Sequence, residues 1–391
     1  MKVWGDEYKN IFKDSGVIML FMIAVFAYPL IYSFAYNNEL VKEVPVIVVD
    51  QDRSNLSRKL ISMLDATFEV KVQEVTPNFQ NGIESFEKSN THGVIVIPKD
   101  FENKVLNFQT ATVSVYADAA YMIIYKQIVV ASTYTVGTLS AGVEIIRRTA
   151  KGSQLERSFI DRDPLPIETF ALYNPKGGYA TYLMPAVLLL ILQQTLLLGI
   201  GLIGGTQKEK GSNNYLIKVG AKFWGAMAIA VGKSMAYFSI YAINALYTLV
   251  IIFRVFRIPQ RGDYYDIFVF ITPFIFAVIF MGITISTFFK KREHALMILV
   301  FTSIPFIFLS GFSWPVESMP QWQVLLSYII PSTHAIKGFV AITQKGSLFA
   351  DVFQYWIYIW GVLIFYLITS SILLMKHNKK ELNNRLDKVT S

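Results

Sequence analysis

Six apolar runs dominate this chain. Each is too long and too free of charge for an ordinary water-soluble core. The first, Val17 to Tyr36, has twenty residues without Asp, Glu, Lys or Arg. As a helix rising 1.5 Å per residue it covers ~30 Å, the thickness of a bilayer's hydrocarbon core. Residues 179–205, 235–253, 267–289, 295–312 and 352–375 repeat the pattern. A cleaved leader is the rival for the first run. A leader's apolar core is only about 7–15 residues and ends in small residues. This run is longer and ends in Tyr36-Asn37-Asn38, so it is expected to be a retained span with Pro29 as a kink point. Only 16% of residues are charged, against about 25% in soluble domains.

Net charge is +8, which invites a nucleic-acid reading. The position of the basic residues excludes it, because they flank the apolar runs as cytoplasmic membrane edges do. Lys2, Lys9 and Lys13 precede the first run. Lys208, Lys210, Lys218 and Lys222 fill residues 206–222, expected as a polar cytoplasmic loop. Lys290 to Arg292 form a short turn, and Lys376, Lys379, Lys380, Arg385 and Lys388 fill a solvated tail at 376–391. Both termini are therefore expected inside a multi-pass cell (inner) membrane protein. Trp4, Tyr8, Ile11 and Phe12 share one helical face, so residues 1–16 are expected to form an amphipathic helix on the membrane surface. Arg254, Arg257 and Arg261 run against the pattern, because alternation puts their loop outside. Cysteine is absent and the four histidines are scattered, which excludes disulfides and argues against a histidine metal cluster.

Residues 37–176 differ in composition. Strands at Pro45–Asp50, Phe68–Val75, Gly93–Pro98 and Ala111–Tyr116 alternate with helices at Ser54–Leu64, capped by Ser54, at Pro77–Lys88 and after Pro98. This order implies an α/β domain with its own core, outside the cytoplasm because the first span carries the chain outward. Residues 119–146 are long and apolar, but a mid-membrane Lys126 would cost about 2.5–3.5 kcal/mol. They are read as a helix of that domain; as a span they would invert everything after them.

Two motifs fail on context. Gly199 to Gly204 fits G-x-G-x-x-G but lies inside an apolar helix, where Gly201 and Gly205 form a small-residue packing face. Val231 to Ser234 echoes a P-loop, yet Met227 stands where its first glycine belongs, so no ATP hydrolysis is expected in this chain. Gln193, Gln194 and Asn244 are polar groups within spans, and thus candidates for a pathway. After the fifth run, Pro315, Pro320 and Pro331 break the chain, leaving a piece of about ten residues that cannot cross a bilayer. Residues 313–339 therefore read as a helical hairpin at, or dipping into, the outer membrane face. The fold class expected is a polytopic α-helical membrane protein of six spans. An extracytoplasmic α/β domain follows the first span and a re-entrant hairpin follows the fifth.

Several stretches, in order, resemble one family. Glu209 to Ser212 (EKGS) is similar to its E-[KR]-G-[ST] motif after the second span. Gly232-Lys233 resembles the Gly-Lys opening the third, and Arg254 to Asp263, with Pro259 and Gly262, its exit. Leu309 to Trp322 and Tyr328 to Phe339 resemble the outer hairpin. Val48 to Ser54 and Gly93 to Phe101 resemble its external domain. The chain thus resembles a type-2 ABC exporter permease of the multidrug type. It departs from the pattern at Asn214, where an acidic residue is frequent, and at Val219-Gly220, where Thr-Pro is frequent. The resemblance implies a passive subunit without catalytic residues or metal. Its partners would be an ABC ATPase, which binds the ATP and magnesium, and a second permease copy or homologue, with a periplasmic adaptor as an optional further partner. Lys208, Glu209, Lys210, Gly211 and Ser212 would couple to the ATPase. Gly311, Pro315, Pro320, Trp322 and Pro331 would shape the outer gate. The aromatic, uncharged spans suit a lipophilic substrate. The alternative is a membrane-anchored scaffold or receptor whose external domain binds a partner.

Overall fold

The computed structural model describes residues 2–37, 39–107, 109–150, 172–175, 177–210 and 214–390. The chain divides into two compact units, Met1–Glu39 with Ala171–Ser391, and Leu40–Phe170. The first opens with α1, Lys2–Lys13, and α2, Ser15–Ala35. Asp14 separates them and accepts hydrogen bonds from the Gly16 and Val17 N–H groups at 3.1 and 3.2 Å, capping α2.

The second unit is a four-stranded sheet with helices. Its elements are β1 (Val44–Asp50), α3 (Asn55–Asp65), β2 (Val70–Thr76), α4 (Phe79–Lys88), β3 (Gly93–Ile97), α5 (Phe101–Leu106), β4 (Ser114–Ala117) and α6 (Met122–Ala150). The strand order is β2-β1-β3-β4, with β4 antiparallel to β3 and the others parallel. β1 is buried along nearly its whole length, as a central parallel strand must be, which accounts for its unbroken run of valine and isoleucine. Ser54 Oγ accepts the Ser57 N–H at 3.0 Å and starts α3. The Asp52 carboxylate accepts the Phe101 and Glu102 N–H groups and starts α5, tying the two loops at the strand ends together. α6 buries Ile128, Ala131 and Leu139 in the core of this unit.

The first unit resumes as a helical bundle. It comprises α7 (Tyr179–Lys210), α8 (Asn214–Gly220), α9 (Phe223–Val255), α10 (Tyr264–Ser286), α11 (Arg292–Leu309), α12 (Gln321–Ser327), α13 (Pro331–Lys345) and α14 (Phe349–Thr390). The apolar windows of α7 and α10 are each 78% buried and that of α11 only 17%, so α7 and α10 form the centre and α11 the margin. The glycines of α7 each meet a different neighbour. A Cβ on Gly201 would lie 2.7 Å from Leu299 Cδ1, one on Gly204 2.6 Å from Ser286 Cβ, and one on Gly205 2.7 Å from Arg292 Cα. Gly201 and Gly205 thus both face α11. The chain leaves this unit and returns to it at one place: the Tyr179 N–H donates to the Glu39 carbonyl at 2.8 Å, and Thr181 Oγ1 to Glu39 Oε1 at 2.7 Å.

Among the described residues seven helices are long and apolar enough to cross a membrane: α2, α6, α7, α9, α10, α11 and α14. The pair α12 and α13, bent by 83°, would make an eighth if counted as one span. Four boundaries differ from those expected. α7 runs through Lys210, beyond the expected end at residue 205, and residues 214–220 form α8, which buries Ile217. α9 begins at Phe223, not Met235, so Gly232 and Lys233 lie well inside it. The return limb of the hairpin continues past Phe339 to Lys345, ended by Gly346 in the left-handed region. Residues 376–390 are not a loose tail but continue α14, with Glu381–Arg385 and His377–Glu381 pairs one turn apart.

The glycine contacts give a direct test. Gly205→Ala pushes a methyl into the α11 backbone and is expected to destabilise by about 1–3 kcal/mol. Gly361→Ala, in α14 with nothing within 4 Å of the added Cβ, is expected to be neutral or stabilising by up to about 1 kcal/mol. Thermal unfolding of the two variants in detergent reads the contrast; equal effects would contradict the packing.

Candidate functional site

The lysine-bearing segments gather at one end of the bundle around a buried ion pair. Lys233 sits in an otherwise apolar stretch of α9, where an unpaired ammonium is costly. Its partner is Glu7, one turn before the buried Ile11 on α1. The Lys233 Nζ to Glu7 Oε2 distance is 3.4 Å, and the side chains are 13% and 3% exposed. Tyr237, one turn beyond Lys233, donates to Glu7 Oε1 at 2.5 Å. Gln207 of α7 closes the ring: its Nε2 donates to Glu7 Oε2 at 3.2 Å and its Oε1 accepts from Lys233 Nζ at 2.7 Å. Tyr8 and Ser239 hydroxyls meet alongside. α1 is therefore packed on α9 through Glu7, Tyr8 and Val3, whose Cβ lies 3.0 Å from where a Cβ on Gly232 would sit. Trp4 and Phe12, two of the four residues of the expected membrane-facing stripe, are exposed.

A second ion pair joins Asp14 to Arg292, with Arg292 Nη2 donating to Asp14 Oδ1 at 2.7 Å and Nη1 to the other oxygen. Burial works to raise the Asp14 pKa, but the Arg292 guanidinium and the capping N–H groups outweigh it and hold the carboxyl below its ordinary value. Arg292 Nη1 also donates to Thr206 Oγ1 at 3.2 Å, and the Arg292 N–H donates to Glu209 Oε1 at 2.8 Å. Glu209 thus stands at the N-terminus of α11, where a carboxylate is favoured. Lys208 Nζ donates to the Thr287 carbonyl at the end of α10. Lys210 ends α7; Gly211 and Ser212 lie outside the described residues. Glu7, Gln207, Lys208, Lys233 and Tyr237 border a cavity of about 530 Å³ walled by α1, α7, α8, α9, α10 and α14; Asp14, Glu209 and Arg292 do not line it.

The opposite end is organised by the hairpin. Gly311, at φ +74°, ends α11, and a Cβ there would lie 2.6 Å from Val316 Cγ2. Pro315 precedes a short 3₁₀ turn, Pro320 precedes α12, and Pro331 occupies the first turn of α13, where its missing N–H is harmless. Trp322 is exposed. Gln193, fully buried in α7, accepts the Ser332 N–H at 3.1 Å and so anchors the start of α13. The buried atoms of the Gln194 amide have no partner among the described residues. Asn244 donates to the Phe21 carbonyl of α2 at 3.0 Å. Gln193 and Asn244 are thus interhelical ties. Of the three arginines that run against the positive-inside pattern, Arg261 has a local role: its guanidinium donates to the Tyr173 and Gln344 carbonyls, closing the C-terminus of α13.

Reading the sequence missed Glu7, Asp14, Gln207, Tyr237 and Arg292. One signal was present for Glu7. A lysine inside an apolar run demands a carboxylate, and Glu7 shares a helical face with Ile11.

The sequence profile of the ABC-2 family transporter proteins matches residues 15–372. The chain is 21% identical over 377 residues to the probable multidrug ABC transporter permease YbhR of Escherichia coli (strain K12), covering 93% of this chain and 94% of that protein. It is 21% identical over 358 residues to the inner membrane transport permease YhhJ of the same strain, covering 88% of each. Against ABC transporter G family member 20 of Dictyostelium discoideum it is 23% identical over 232 residues, covering 59% of this chain and 31% of that protein's length.

Breaking the buried pair tests its importance. Glu7→Gln leaves Lys233 uncompensated and is expected to cost about 3–5 kcal/mol, while the Glu7→Gln, Lys233→Met double variant recovers most of the loss. A double variant no better than E7Q in thermal unfolding would contradict the pairing. For Asp14, a lowered folded pKa means stability present above the unfolded value and lost as pH falls through the folded one. The stability gap between wild type and Asp14→Asn should be full at neutral pH and begin to close near the ordinary value of 3.8. A gap independent of pH would contradict the ion pair.

Proposed function

The chain belongs to the ABC-2 family transporter proteins, and from that premise we propose that it is the permease subunit of an exporter, moving a lipophilic substrate outward from the cytoplasm or inner leaflet. As a transmembrane subunit of an ABC transporter it associates with an ABC ATPase subunit. ATP and magnesium are bound there, not here. A second permease copy or homologue completes the assembly, and a periplasmic adaptor is a further partner that this reading allows.

One observation carries the reading. Lys208-Glu209 and Gly232-Lys233, far apart in sequence, meet at one end of the bundle through Gln207. That end holds the lysine clusters and faces the cytoplasm under the positive-inside rule. α8 lies between the two motifs. It is the segment against which ATP-driven closure of the ATPase would act. Only a segment that contacts the partner differently in its two states can shift the bundle's equilibrium. Three contacts between distant segments support a count of six spans and this orientation. Asp14 pairs with Arg292, Lys208 bonds Thr287, and Gly220 abuts Asn378. Asp14 and Arg292 lie an even number of crossings apart only if α6 does not cross, and Gly220 and Asn378 only if the α12–α13 pair does not; Lys208 and Thr287 are two crossings apart in either case. The Glu39–Tyr179 bond returns the inserted unit to its point of departure. That unit then lies outside the cytoplasm, and the hairpin forms the outer gate.

Reconstitution with the ATPase tests the proposal. Glu209→Ala with Lys208→Ala should lower transport at least about tenfold while ATP hydrolysis persists, a loss of roughly 1.4 kcal/mol or more in coupling. Undiminished wild-type transport without any ATPase would overturn it.

A further inference from the structure

The cavity at the lysine-rich end has more positive charge than its own carboxylates can balance. Four lysines border it: Lys208, Lys233, Lys290 and Lys380. Two carboxylates do so, and both are engaged. Glu7 pairs with Lys233 and accepts from Tyr237 and Gln207. Glu381 pairs with Arg385 at 2.8 Å. Lys208, Lys290 and Lys380 have no carboxylate partner among the described residues. Asn378, 7% exposed, adds an amide to the same wall. At about 530 Å³ the cavity is within the size range of small-molecule sites. It opens among helices where their apolar windows give way to lysine.

We propose that this cavity is a phosphate-binding site that takes the head group of an anionic phospholipid. Three ammonium groups without a carboxylate partner among the described residues, lining one hollow, match the charge and acceptor oxygens of a phosphate, whose hydrogen bonds to cations are charge-assisted; Lys208 holds only the neutral Thr287 carbonyl. Basic pockets between membrane helices on the cytoplasmic side recognise such head groups. The apolar flank of α14, whose apolar window is only 28% buried, would receive the acyl chains. The site borders Glu7, Gln207 and Lys233, so its occupancy bears on the network that joins α1, α7 and α9. The inference needs only the bilayer and holds whether or not the transport reading does.

The test is thermal unfolding of the full chain in neutral detergent, titrated separately with short-chain phosphatidylglycerol, short-chain phosphatidylcholine and inorganic phosphate. Phosphatidylglycerol should stabilise saturably and phosphatidylcholine should not. Each lysine removed should weaken apparent affinity on the order of fivefold, so Lys208→Gln with Lys290→Gln and Lys380→Gln should abolish the effect. Lys208→Arg should retain it. If Lys208→Gln does not fold, Lys290→Gln with Lys380→Gln carries the same test. A matched control, Lys9→Gln with Lys13→Gln and Lys379→Gln, removes equal charge from exposed positions at the same end and should leave affinity within about twofold. Inorganic phosphate that binds as tightly, with the same loss in the cavity variants, upholds the phosphate site and assigns it to a soluble anion. Equal stabilisation by both lipids, or equal weakening by the control, overturns the proposal.

Discussion

The buried pair of Glu7 and Lys233 is the interaction on which the rest of the bundle depends. An ammonium at 13% exposure inside an apolar helix must be neutralised, and the nearest partner lies on a helix that would otherwise be a loose terminus. Pairing therefore fixes α1 on α9. Gln207 bonds both members of the pair, so the end of α7 is fixed with them. Such a pair adds less to net stability than its geometry suggests, because desolvation offsets much of the attraction. Its effect is to specify which helices meet.

The opposite end meets a different requirement. A broken chain at membrane depth needs every freed backbone group satisfied by protein. Gln193 takes the Ser332 N–H, Arg261 takes the Gln344 carbonyl, and Gln344 Nε2 donates to the Pro259 carbonyl at 2.9 Å. Tyr182 donates to the Phe312 carbonyl at 3.0 Å and stacks on its ring. The arginine loop and the hairpin thus form one polar seam. The positive charge there closes a helix end.

Local signals in the sequence located many elements. Hydropathy gives the helices, Ser54 the start of α3, and the prolines the breaks in the hairpin. These signals act within a few residues, so one chain segment contains them. Helix ends were harder to read where a distant residue decides them. Lys208 and Lys233 looked like membrane edges because their partners, the Thr287 carbonyl and Glu7, lie far away in sequence. The tail looked solvated because i, i+4 pairing at 377–385 competes with its polarity. An amide in an apolar run is ambiguous until its partners are known: Gln193 Oε1 and Asn244 Nδ2 tie helices together, while Gln193 Nε2 and the Gln194 amide have no partner among the described residues.

In the proposed arrangement both lysine-rich motifs face the compartment of the ATPase, and residues 40–170 lie across the membrane from them. The chain has no cysteine, so single cysteines can be placed without background. The decisive measurement is labelling of Lys59→Cys and Lys379→Cys by a membrane-impermeant maleimide in intact cells. Labelling at position 59 and none at 379 until the membrane is opened is the predicted result. Equal accessibility at both positions would contradict the arrangement and the coupling argument built on it.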